Sequence, residues 1–119
     1  MRTVIETIVR DHLAGALNVP VLLEVPEGPV PTAFVTLEKT GSSETDRLSS
    51  ATLAAQSWGP TLYDAASLNE AVKAAMDGLP AAPEVFSCRL QSDYNWPDLR
   101  RKRRRYQAVF EIFYKEERL

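Results

Sequence analysis

The chain has 119 residues, of which 45% are hydrophobic and 25% charged, and its formal net charge is -2. That length suits one domain with a single core, and that balance excludes a disordered chain. No apolar stretch approaches the roughly 20 residues of a membrane span, and a single cysteine, Cys88, rules out an internal disulfide framework. Residues 1–6 carry acid early and lack the basic-then-apolar profile of a secretory signal, so a soluble protein made in a cytoplasm, with no membrane partner, is expected.

Thr3-x-x-Glu6 has the form of a capping box, and Ile5, Ile8, Val9, His12, Leu13, Ala16 and Leu17 recur at helical spacing behind it. Asn18 and Pro20 predict a stop near Leu17. The apolar run 21–25 ends in Pro26-Glu27-Gly28-Pro29-Val30-Pro31, which suits a turn or an edge crossing and not a central strand. Residues 33–39 and 48–58 alternate in the manner of strands, through Val35 and Leu37 in the first and Ala51, Leu53 and Ala55 in the second. Between them, residues 40–47 are polar and predict a long, projecting hairpin loop.

Gly59-Pro60 ends that strand, and Thr61-x-x-Asp64 predicts the start of a second helix. Its buried stripe is expected to hold Leu62, Ala65, Ala66, Asn69, Val72, Met76 and Leu79, with Gly78 near its end. The last third predicts two more strands. One places Phe86, Cys88 and Leu90 inward; the other carries Tyr106, Ala108, Phe110, Ile112 and Tyr114 inward, with Val109 and Phe113 giving its opposite side partial cover. Their connector, residues 95–105, projects from the hairpin tip. The order helix, three extended segments, helix, two strands predicts a two-layer α+β domain, with a mainly antiparallel sheet of four to five strands packed with two helices.

Catalytic chemistry finds little footing. His12 is the only histidine and lies on or beside an apolar helical stripe, and Cys88 sits on an inward strand phase, so both are expected in or beside the core. No acids pair in a pattern for acid–base or metal work, and Gly41 stands without a phosphate-binding glycine loop. A protein that works by binding, with no metal and no cofactor, is expected. The most specific feature is the run Arg100, Arg101, Lys102, Arg103, Arg104, Arg105, which leaves -8 for the rest of the chain. Such a run is exposed unless a partner neutralises it. It admits three readings: a nucleic-acid element flanked by Tyr94, Trp96 and Tyr106, a solvated tip, or a dock for an acidic protein surface, including another copy of this chain.

Three segments together carry a family resemblance: Phe34-Val35-Thr36-Leu37-Glu38-Lys39-Thr40-Gly41, then Ala51-Thr52-Leu53-Ala54-Ala55-Gln56-Ser57-Trp58, then Tyr63-Asp64-Ala65-Ala66-Ser67-Leu68-Asn69-Glu70-Ala71-Val72. In this order, over about residues 1–115, the chain resembles the tail terminator proteins (tail completion, sometimes labelled minor capsid) of long-tailed bacteriophages and prophages. The resemblance implies a small α+β subunit that assembles into a ring, commonly a hexamer, in the virion tail after synthesis in the host cytoplasm. Such a ring caps the finished tail tube, stops its polymerisation and offers a surface to the head–tail connector. Its implied partners are copies of itself, the tail tube protein and connector proteins. The family brings no catalytic residues. Its projecting contacts correspond to Gly41, Glu44, Asp46 and Arg47 in one segment and to Trp96 with residues 100–105 in the other. The cation run departs from the family pattern and leaves contact with DNA open. A related neck protein of similar size, or a nucleic-acid-binding module, is the alternative.

Overall fold

A computed structural model describes residues 2–117. In chain order the elements are α1 (Ile5–Ala16), β1 (Val21–Leu22), β2 (Phe34–Thr45), β3 (Leu48–Gly59), α2 (Leu62–Met76), a 3₁₀ turn (Leu79–Ala81), β4 (Val85–Asn95) and β5 (Arg104–Lys115). They form the α+β architecture: one five-stranded sheet in the order β1-β2-β3-β5-β4, with two helices packed on it. Only β1 pairs in parallel, with β2; the other pairings are antiparallel.

Helix α2 starts as its sequence dictates. Thr61 is the N-cap and accepts a hydrogen bond from the Asp64 amide at 3.1 Å, while its own hydroxyl donates to Asp64 Oδ2 at 2.8 Å. Ala65, Asn69, Val72 and Met76 turn inward, with Leu79 following in the 3₁₀ turn, whereas Leu62, expected in the buried stripe, is exposed. Gly59 makes the hand-over from β3 possible: a Cβ there would lie 2.8 Å from the Ala65 backbone nitrogen. Helix α1 buries Ile5, Ile8, Val9 and Leu13 and leaves Ala16 exposed. His12 ties the helices together, Nε2–H donating to the Ala75 carbonyl at 2.7 Å, near the end of α2.

Three further sequence expectations need correction. The capping box does not form: Val4 is the N-cap with no side-chain bond, Thr3 Oγ1 is buried without a hydrogen-bond partner among the described residues, and the Thr3 amide donates instead to the Glu116 carbonyl at 3.0 Å. The backbone is recruited to the end of β5, which leaves the cap geometry unavailable. The long loop at 40–47 is not a loop. Strands β2 and β3 continue to a two-residue turn at Asp46 and Arg47, whose φ values of 51° and 66° match the left-handed pair that a tight, right-twisted hairpin demands. Its Ser and Thr residues are polar because β2 is exposed from Glu38 to Thr45, and Ser43 and Ser50 pair across the strands at 2.8 Å. In β4 the expected inward row is interrupted by register shifts between Val85 and Ser87 and between Leu90 and Ser92. Val85 takes the buried place and Phe86 is 56% exposed, with Leu90 at 44%. Cys88 keeps its inward place against the core, where burial pushes the thiol up to about 11, so it stays protonated at neutral pH.

Candidate functional site

The helices cover one face of the sheet, and the opposite face is closed by the sheet's own side chains. Phe34, Trp58 and Arg105 occupy neighbouring positions across β2, β3 and β5. Phe34 and Trp58 stack with centroids 5.4 Å apart and planes within 5°. The Arg105 guanidinium lies between two indoles, 4.9 Å from the Trp58 ring and 3.9 Å from the Trp96 ring, and its Nε donates to the Trp96 carbonyl at 2.7 Å. One row further along, a chain of hydrogen bonds crosses four strands. Trp58 Nε1 donates to Thr36 Oγ1 at 2.9 Å, Thr36 to Gln56 Oε1 at 2.8 Å, Gln56 Nε2 to Gln107 Oε1 at 2.6 Å, and Gln107 Nε2 to the Tyr94 hydroxyl. A cleft of about 330 Å³ opens beside this row, between Leu23–Val25 of the crossing segment and Glu38, Trp96 and Arg105.

The column formed by Phe34, Trp58, Arg105 and Trp96 anchors the β4–β5 tip. Trp96 donates its amide to the Arg105 carbonyl at 2.9 Å, and Asp98 and Arg103 exchange both backbone bonds at 3.0 Å, closing a four-residue turn with Lys102 at φ 54°. Asp98 is the organiser. It is 7% exposed, and its Oδ1 accepts the amides of Arg100 and Arg101 at 3.0 and 3.1 Å while Oδ2 takes Arg101 Nη1 at 2.8 Å. The Arg101 hydrogen bond holds the Asp98 carboxyl below the usual carboxylate range.

The cation run therefore divides. Arg101 and Arg105 are built into the turn and the column, whereas the side chains of Arg100, Lys102, Arg103 and Arg104 make no hydrogen bond or ion pair within residues 2–117. Trp96 belongs with this group; Gly41, Glu44, Asp46 and Arg47 do not. Strand β3 pairs Gly59 with Arg104 at one end and Leu48 with Lys115 at the other. The 11 steps from Gly59 to Leu48, at about 3.3 Å each, put the Asp46–Arg47 turn roughly 36 Å from the tip, along the 43 Å axis of the molecule, and Gly41, opposite Thr52, lies about 23 Å from it. Glu44 is held there by Arg2, which also reaches Glu116 at 3.3 Å, and Asp46 and Arg47 make the tight turn.

Two further features carry no local sequence signal. Strand β1 covers β2 only at Val35 and Thr36, so the outer edge of β2 from Glu38 to Thr45 has no partner among the described residues. The outer edge of β4 likewise has no strand partner among the described residues; only its start is capped, by the Val85 amide donating to the Ala82 carbonyl at 3.0 Å, and Phe86, Leu90 and Tyr94 are exposed along the strand. Bare edges of this length are templates for pairing with another chain. Comparison with known proteins finds no family model that matches this chain, and no match among curated proteins.

Proposed function

We propose that the protein is a virion structural subunit of the tail-terminator kind, which assembles into a ring and caps the end of a phage tail tube. The observation that supports this reading is the pair of open sheet edges. Strands β2, β3, β5 and β4 alternate in direction, so β4 runs opposite to β2. The β4 edge of one copy can therefore lie against the β2 edge of the next and continue a single antiparallel sheet. That contact joins two different surfaces, so repeating it closes a ring when the rotation per copy permits. Hydrogen bonds then run around the ring and the strands along its axis, with some tilt. The cationic tip and the Asp46–Arg47 turn become its two rims. End-capping needs unlike rims: one to match the last ring of the tube, the other to refuse a further tube subunit and receive the connector.

Lys39 provides the test. The Val35 amide points outward, donating to the Pro20 carbonyl at 2.9 Å, so the alternation of the strand turns the Lys39 amide outward as well. Lys39→Pro removes that donor and obstructs the edge while leaving the ladder to β3 in place. Light scattering of the wild type is expected to give a closed oligomer, commonly six copies, and negative-stain images should place it on tube ends. Lys39→Pro should give monomers with unchanged circular dichroism and no capped tubes. A wild-type chain that stays monomeric beside intact tubes overturns the proposal.

A further inference from the structure

We propose that the β4–β5 tip is a binding site for the phosphodiester backbone of duplex DNA, contacted by Arg100, Lys102, Arg103 and Arg104. The proposal concerns a single copy of the chain and goes beyond ring assembly.

The tip is held in one shape before any partner arrives. Asp98 caps the turn from inside, and Arg105 is clamped between Trp58 and Trp96 at its base. Lys102 takes a left-handed conformation that usually falls to glycine or asparagine, so a long cationic side chain stands where a small residue fits more easily. All this order displays four cations that nothing among the described residues pairs with. Asp98 is the only acid between Asp93 and Glu111, and its carboxylate is already engaged by Arg101 and two amides. Like charges held this close repel, and a fixed anionic array relieves that repulsion.

The chemistry of the array favours phosphates. Three of the four groups are guanidiniums, which bind phosphate oxygens through paired N–H donors. Arg103 and Arg104 are adjacent in an extended segment and so project to opposite faces of the hairpin. With Arg101, the residues Lys102, Arg103 and Arg104 also line an open cleft of about 550 Å³ against Val30, Pro31, Thr32, Gly59 and Pro60, along which a phosphate backbone can lie. The far pole of a second copy is a poor partner for this end. At the far pole, Glu44 and Glu116 are already paired with Arg2, and Arg47 and Lys115 stand among the remaining acids. The rest of the chain sums to -8, so attraction for DNA is concentrated at the tip.

Fluorescence anisotropy with a labelled 20-base-pair duplex of arbitrary sequence tests this over a salt series. Wild-type protein should bind at about 50 mM salt, and log K should fall against log salt with a slope of about -3.6, since each of the four neutralised phosphates contributes about -0.9. Arg104→Gln alone should reduce the slope by about 0.9. The quadruple variant R100Q/K102Q/R103Q/R104Q should bind at least tenfold more weakly, with a nearly flat salt response. Both variants should melt like the wild type, because the removed charges make no hydrogen bond or ion pair among the described residues, and light scattering should show the same oligomer. No wild-type binding at low salt, or equal binding by the quadruple variant, overturns the proposal. So does polyglutamate that competes as well as DNA at equal charge, which would make the tip a dock for acidic protein. Loss of DNA binding with the oligomer intact separates this site from the assembly edges.

Discussion

Trp58→Ala is expected to lower the unfolding free energy by about 3–5 kcal/mol, the range for removing a fully packed aromatic. Against the roughly 5–15 kcal/mol that holds a domain of this size, that is enough to leave a substantial unfolded population at 37 °C. The indole is 2% exposed and serves three neighbours at once. It stacks on Phe34, forms one wall for the Arg105 guanidinium, and donates Nε1–H to Thr36. Alanine removes the wall and the stack and leaves a cavity beneath Arg105, which then keeps only the Trp96 ring. Trp58→Phe keeps most of the packing and loses the donor, so its cost should be about 1–2 kcal/mol, one hydrogen bond plus imperfect fit. Urea unfolding followed by far-ultraviolet circular dichroism measures both. A Trp58→Ala cost below 1 kcal/mol would mean that the column is a surface ornament and not the anchor of the tip.

The parts of this fold that were legible in the sequence are those governed by nearest neighbours. Thr61 and Asp64 lie three residues apart, and Pro20 stops α1 by its own chemistry, so the start of α2 and the end of α1 follow from local rules. The alternation of β5 was also readable, because its inward row from Ala108 to Tyr114 is uninterrupted. What escaped depends on distant partners. Thr3 fits a capping box until the Glu116 carbonyl claims its amide, 113 positions along the chain. Residues 40–45 lack apolar alternation because that part of β2 lies at a bare edge, where polar residues are at no disadvantage. Phe86 reads as inward until a bulge shifts the phase. In the cation run, like charges in sequence conceal unlike duties: which arginine meets Asp98 and which slides between two indoles depends on the turn that the run itself forms. Gln56 and Gln107 look like residues of a wet strand face, and only the sheet order brings them together across 51 positions.

Those two glutamines should also prove strongly coupled. Thr36, Gln56 and Gln107 are 4%, 7% and 8% exposed, and each donates to the next in a single direction from Trp58 to Tyr94. Gln56→Leu strands the Thr36 hydroxyl on one side and Gln107 Oε1 on the other. At about 1–3 kcal/mol for each buried group left without a partner, the expected loss is roughly 2–4 kcal/mol. Gln107→Leu strands Gln56 Nε2 and the Tyr94 hydroxyl, but Tyr94 is 43% exposed and can turn to water, so this variant should lose less, about 1–3 kcal/mol. The double variant Q56L/Q107L places two leucines side by side across β3 and β5 and removes the central pair together, so neither amide is stranded by the other's loss. Its cost should fall short of the sum of the single variants by about 1–2 kcal/mol, within the range seen for neighbours that share one network. Urea midpoints for the four proteins complete the cycle. Strict additivity would show that these side chains act as independent polar groups, each finding water, and that the open face of the sheet owes its burial to packing alone.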